Sequence, residues 1–123
     1  IRAAVTDPDN TKFFAGTDSA AHTVKATECG CAAGCFTGGI APQLYAQGFE
    51  EAGVDLSSEE GRRIFENFLC HVGPDYYGLD KSDQVFTLEK KPSEVPALST
   101  PAGDITPLPL GLGNPSLDWT LSL

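Results

Sequence analysis

Residues 56–74 read LSSEEGRRIFENFLCHVGP and form the clearest helical stretch of the chain. The stretch opens with a capping box, because Ser57 is followed three residues later by Glu60. Its apolar residues recur at helical spacing and make one stripe, consisting of Ile64, Phe65, Phe68, Leu69 and Val72. Gly73 followed by Pro74 is typical of a helix end. The sequence therefore predicts an amphipathic helix that packs through this stripe on a neighbouring element.

A second helix is predicted over residues 42–52, with Pro42 in its first turn and Gly53 at its end. The connection to the first helix is short, which favours an antiparallel helical hairpin. Gly48 and Gly61 lie inside the two helices, where a glycine costs about 1 kcal/mol relative to alanine. We therefore expect each of them to mark a close helix approach.

Shorter elements are predicted on either side of this hairpin. Residues 18–27 are expected to form a short helix capped by Asp18, and residues 85–88 a short strand. The chain has two histidines, His22 and His71. We expect His22 to be solvated and His71 to interact with the negative end of its helix dipole, so neither is assigned a catalytic role.

The charge of the chain limits its partners. Its formal net charge is −9, which repels the phosphates of nucleic acids and argues against a nucleic-acid partner. No apolar run reaches the length of a transmembrane helix, so no direct membrane span is expected. The chain begins with Ile1 and contains no methionine, which suggests a processed, exported chain.

The four cysteines predict two disulfides in an exported protein. They are Cys29, Cys31, Cys35 and Cys70. A bridge from Cys29 to Cys31 would be strained. Two pairings remain: Cys29–Cys35 with Cys31–Cys70, or Cys31–Cys35 with Cys29–Cys70. Either pairing straps the helix of residues 56–74 onto residues 29–35. The expected location is an oxidising compartment: secreted, periplasmic, intermembrane space or thylakoid lumen.

A metal centre is the alternative use of the same cysteines. Four thiolates can hold an iron–sulfur cluster, but the spacing here matches neither the plant-type nor the bacterial ferredoxin pattern. The C-x-x-C knuckle of most structural zinc sites is also absent. We therefore expect no metal and no cofactor.

Residues 90–123 differ in character from the rest of the chain. They contain most of the prolines, several leucines and Trp119, the one tryptophan. Prolines exclude a regular helix, while the apolar content argues against disorder. We expect an extended arm, separate from a small helical domain of residues 1–89, that binds a partner through an exposed apolar strip. The predicted partner-binding residues are Leu108, Leu110, Leu112, Leu117 and Trp119.

Taken together, these patterns predict a small, mainly α fold: a disulfide-strapped two-helix hairpin with a long extended, Pro/Leu-rich C-terminal arm. Neither G-x-S-x-G nor H-E-x-x-H is present, so the protein is not expected to be an enzyme. The predicted function is that of a non-enzymatic accessory or structural subunit, docked on a larger protein complex through its arm. Two alternatives are a small iron–sulfur electron carrier and a free secreted effector or inhibitor.

Overall fold

The computed structural model describes residues 1–28 and 30–123, without the side chains of Ala26, Thr27 and Cys31. A π-helical segment, Asn67–His71, joins the third helix to the fourth. The α-helices are α1 (Arg2–Val5), α2 (Ala41–Glu51), α3 (Glu59–Glu66), α4 (Val72–Tyr77) and α5 (Leu108–Gly111). The strands are β1 (Ala26–Thr27), β2 (Gly30–Cys31), β3 (Thr87–Glu89), β4 (Ser93–Glu94), β5 (Leu98–Thr100), β6 (Gly103–Ile105), β7 (Ser116–Leu117) and β8 (Thr120–Ser122).

The strands of the described residues pair as short antiparallel ladders of two strands each, β1 with β2, β3 with β8, β4 with β7 and β5 with β6. In the β3–β8 ladder, Leu88 lies opposite Leu121. In the β4–β7 ladder, Ser93 lies opposite Leu117. These two ladders bring the end of the chain back against residues 87–94.

The run from α3 to α4 is longer than the sequence pattern predicts. Its N-cap is Ser58, one residue after the predicted Ser57, and the Ser58 hydroxyl accepts a hydrogen bond from the Gly61 amide at 2.9 Å. The run does not stop at Gly73 and Pro74 but continues to Tyr77, where Gly78 ends it with φ 64°. Pro74 is tolerated because it sits in the first turn of α4, directly after the π-helical segment has broken the regular hydrogen-bond ladder.

The main core lies between α2, α3 and the C-terminal strands. The Phe49 ring packs edge-on against Phe65, with 5.1 Å between ring centroids, and also contacts Phe68. Trp119 enters this core from the C-terminal segment, and its Nε1 donates to the Glu50 carboxylate at 2.9 Å. The buried residues of the cluster are Ala46, Phe49, Leu56, Ile64, Phe65, Phe68 and Trp119.

A second, smaller core forms where the C-terminal segment meets the start of α2. It consists of Ile40, Val95 and Leu117, with Leu44 and Leu110 packed against it. Both cores and the β3–β8 ladder therefore join residues on the two sides of the predicted boundary between 1–89 and 90–123.

The prediction of an extended C-terminal arm on a two-helix hairpin is wrong. Prolines exclude a long helix, but they allow the short strands and the single turn of helix that residues 90–123 form. The hairpin alone leaves its aromatic face open, and the apolar side chains of this segment cover it.

The predicted partner-binding residues separate by burial. Leu117 and Trp119 are 3% and 8% exposed and pack in the chain's own cores, so little of either side chain is exposed to a partner. Leu108 and Leu110 are half-buried. Leu112 is exposed, and for this residue partner binding stays a prediction.

The predicted disulfide strap is also wrong. Cys35 and Cys70 are free thiols, and Cys70 lines a groove together with Phe86 and Leu88, to which none of residues 30–35 contributes. Cys29 lies outside the described residues, and the side chain of Cys31 is not described. The expectation of an oxidising compartment rested on this strap and loses its support.

Two further features bear on the predictions. The helix predicted over residues 18–27 is absent: residues 18–25 are irregular and lead into the β1–β2 hairpin. Among the described residues, no helix combines the length and the apolar character needed to cross a membrane.

Candidate functional site

Asp18 has a backbone conformation that marks it as a candidate functional residue. Among the described residues it is the one non-glycine residue with a positive φ, at 42°. This region of backbone space costs an L-residue roughly 1–2 kcal/mol, because Cβ crowds the following carbonyl. Such strain persists where the surrounding structure imposes it, and it clusters at active sites and ligand clamps.

Hydrogen bonds flank Asp18 on both sides. On the N-terminal side, the Tyr45 hydroxyl of α2 donates to the Gly16 carbonyl at 2.8 Å. On the C-terminal side, the Ser19 hydroxyl accepts from the Thr37 and Gly38 amides, each at 3.0 Å. We call residues 16–38, which these contacts tie together, the Asp18 loop.

The two arms of the Asp18 loop also meet through backbone contacts. The Ala20 amide donates to the Cys35 carbonyl at 2.9 Å, and the Lys25 ammonium donates to the Gly34 carbonyl at 2.6 Å. Gly34 has φ +83°, and a Cβ at this position would lie 2.8 Å from Cβ of Ala20. Residue 34 therefore has to be glycine for both its backbone conformation and its packing.

The charged groups of the Asp18 loop face solvent. Asp18 and His22, four residues apart, are both exposed, and within the described residues neither side chain makes a hydrogen bond or an ion pair. Burial raises the pKa of Tyr45, the hydrogen bond to Gly16 opposes this, and the negative charge of Asp18 raises it further. The phenol therefore stays protonated at neutral pH and keeps donating to Gly16.

This arrangement offers a carboxylate and an imidazole to a small molecule. A carboxylate or an imidazole in a defined position can transfer protons or bind a cation. No group of three or more His, Cys, Asp or Glu side chains within the described part of the chain is arranged to hold a metal ion.

A second candidate is a groove beside Trp119, with a volume of about 400 Å³. Burial, and then the negative charge of Glu66, raise the pKa of the Cys70 thiol, so this cysteine is a poor nucleophile. His71 is half-buried in the middle of the helical run, so the predicted interaction with a helix end is wrong, and its Nδ1 has no hydrogen-bond partner. The groove contains no residue of the Asp18 loop and no activated nucleophile.

The sequence analysis assigned Asp18 to a helix cap and left His22 as a solvated residue. His22 is indeed exposed, but Asp18 caps no helix. One signal was available: the apolar run Phe13, Phe14, Ala15 is followed at once by Gly16 and then by the polar residues 17–19. Short-range patterns could not show the surroundings of Asp18, because the contacts that flank it are made by residues 37, 38 and 45.

Comparison with known proteins relates the chain to one enzyme. No family model matches it. It is 44% identical over 115 residues to a dihydroorotase of Nitrosococcus oceani, a match that covers 92% of this chain and 30% of the relative. It is 45% identical over 112 residues to a dihydroorotase of Halorhodospira halophila, covering 89% of this chain and 30% of that relative. The chain thus spans about 30% of the length of these relatives.

The fold is also similar to part of a solved enzyme. The dihydroorotase of Campylobacter jejuni superposes with a TM-score of 0.70 at 24% identity, covering 97% of this chain and 32% of that chain. At this identity the match shows the fold alone. It confirms that the architecture differs from a disulfide-strapped helical hairpin.

These similarities correct the predicted function. The relatives are enzymes, so the prediction of a non-enzymatic accessory subunit is wrong, as is the expectation that the protein is not an enzyme. The prediction of an exported, disulfide-bonded protein conflicts with the same relatives and with the free thiols of Cys35 and Cys70. Neither the iron–sulfur carrier nor the secreted effector gains support from these relatives.

Proposed function

We propose that the protein has dihydroorotase activity and that this chain contributes the Asp18 loop to its active site. The observation that carries the proposal is the sequence identity to dihydroorotases from several bacteria along about nine tenths of the chain. The Asp18 loop lies inside those matches, because they leave only a small part of the chain uncovered. The strained backbone of Asp18 supports the choice of this loop.

The chemistry of the loop suits such a substrate. Dihydroorotate, which the name of these relatives specifies, is a small ring with amide groups and a carboxylate. Opening or closing a ring amide moves a proton at nitrogen or at water, and a positioned carboxylate can transfer that proton. Asp18 is exposed and unpaired within the described residues, so a substrate can reach its oxygens. We assign it the role of general acid or base.

An activity assay tests this proposal. The purified protein is expected to convert dihydroorotate, and Asp18→Asn is expected to lower kcat about 10²–10⁴-fold, the usual contribution of a general acid or base. Asp9→Asn is the matched control, since Asp9 is an exposed aspartate whose side chain holds nothing in the described structure. An unsubstituted protein that leaves dihydroorotate unchanged would contradict the activity. Full activity in Asp18→Asn would contradict the assignment of this residue.

A further inference from the structure

The Ser19 hydroxyl accepts two backbone hydrogen bonds within the Asp18 loop. Ser19 directly follows Asp18, and its Oγ accepts hydrogen bonds from the amides of two consecutive residues, Thr37 and Gly38. These residues immediately precede α2, with Ile40 as the N-cap of that helix. A single side-chain oxygen therefore joins the segment that carries Asp18 to the start of a buried helix.

This contact restricts the backbone of Asp18. Two donors from one turn hold the Ser19 side chain, and this limits the conformations open to the backbone on either side of Ser19. Tyr45, from the same helix, holds the Gly16 carbonyl two residues before Asp18. Asp18 is thus held on both sides by contacts to α2 and its leading turn, and it has no contact of its own that would favour a positive φ.

We propose that Ser19 is a positioning residue: its hydroxyl holds Asp18 in the positive-φ conformation that points the carboxylate toward substrate. The proposal rests on the proposed function for its effect on catalysis. Its structural part, the coupling of Ser19 to the backbone of Asp18, stands independently of any activity.

The structural part is tested by the three-bond coupling between the α proton of Asp18 and the carbonyl carbon of Thr17, which is large at the positive φ of Asp18 and small at negative φ. Ser19→Ala removes the acceptor, and Ser19→Cys keeps the size of the side chain but offers a weak sulfur acceptor. Both variants are expected to shift the Asp18 coupling toward values for negative φ. Ser19→Thr keeps the hydroxyl and is expected to preserve the coupling of the parent. An unchanged coupling in Ser19→Cys or Ser19→Ala overturns the proposal, and so does a Ser19→Thr variant that shifts as far as Ser19→Ala.

The catalytic part is tested by kcat and KM for dihydroorotate. Ser19→Ala is expected to lower kcat about tenfold to a hundredfold, as a displaced catalytic group does, and to change KM much less. Ser19→Thr is expected to recover most of this loss, and Ser122→Ala, an exposed serine far along the chain, to behave as the parent. Equal losses in the Ala and Thr variants overturn the positioning role. If the parent protein itself is inactive, the proposed function fails, while the coupling measurement still decides the role of Ser19.

Discussion

At the scale of single residues, Asp18 has an unfavourable backbone conformation that fixes the place of its carboxylate. Its positive φ is unfavourable for a residue with a Cβ, and the hydrogen bonds of Ser19 and Tyr45 compensate for this cost. A residue selected for stability alone would be glycine here, as it is at Gly34 in the same loop. The presence of aspartate therefore agrees with a role for the carboxylate itself.

Replacing Asp18 tests whether the strain is real. Asp18→Gly relieves roughly 1–2 kcal/mol of strain but adds about 0.4–1 kcal/mol of unfolded-state entropy, so the free energy of unfolding is expected to rise by up to about 1.6 kcal/mol. Asp18→Ala keeps the Cβ and should bring no such gain. Urea unfolding with an unchanged m-value measures the difference.

Asp9→Gly provides the control for this pair, because Asp9 does not have a positive φ and no strain is relieved there. The added unfolded-state entropy then acts alone and should lower the free energy of unfolding. If Asp18→Gly is less stable than Asp18→Ala, the surroundings do not impose the strained conformation in the way described here.

At the scale of elements, Gly48 and Gly61 occupy helix positions with different surroundings. A Cβ on Gly61 would lie 2.0 Å from the Asp55 carbonyl oxygen, in the turn that leads into α3. Around Gly48, a Cβ would meet nothing within 4 Å. The prediction that both glycines mark a close helix approach is therefore wrong. Gly61 allows the chain to turn tightly into its own helix, and Gly48 has no packing reason in this structure.

Alanine substitutions separate these two cases. Gly61→Ala is expected to lower the free energy of unfolding by about 1–3 kcal/mol, the usual cost of overpacking, because the neighbouring atom belongs to the backbone. Gly48→Ala is expected to raise it by about 0.5–1 kcal/mol through better helix propensity. Thermal unfolding of the two variants beside the parent provides the measurement, and shifts of the same sign would contradict this account.

At the scale of the whole molecule, the C-terminal segment completes the fold. Leu117 at the end of β7 and Trp119 just before β8 are two residues apart and enter the two different cores. The Glu50 carboxylate of α2 accepts from both Trp119 and Lys90, and the Lys90 ammonium lies 5.2 Å from the Trp119 ring centroid. The helices and the C-terminal strands are thereby linked through one buried ring.

Two substitutions in the C-terminal segment measure this link. Trp119→Ala removes a ring that is 8% exposed and is expected to lower the free energy of unfolding by about 3–5 kcal/mol. Leu112→Ala, at a residue that is 71% exposed, is expected to stay within about 0.5 kcal/mol of the parent. Denaturant unfolding followed by far-ultraviolet circular dichroism reports both. A mild effect of Trp119→Ala would mean that this segment is not integral to the core.

Sequence patterns recovered the elements whose causes are local. The helix predicted over residues 42–52 corresponds to α2 (Ala41–Glu51), and the predicted stripe supplies Ile64, Phe65 and Phe68 to the core. The cysteines were misassigned because pairing depends on where distant side chains point. The conformation of residues 90–123 was mispredicted for a similar reason. An apolar, proline-rich segment can pack equally well on the surface of a partner and in the core of its own chain.

The positions of the two main helices, and the buried face of the helix that begins near residue 58, thus follow from local sequence patterns. Caps, helical spacing and proline act between residues within one or two turns, so their effects can be read from neighbouring letters. Three features follow from the folded chain alone: Trp119 closes the core, Cys70 faces a groove, and Asp18 has a positive φ. Each of these depends on contacts between residues far apart in the chain, such as Ser19 with Thr37 or Glu50 with Trp119, and such contacts exist only once the chain has folded.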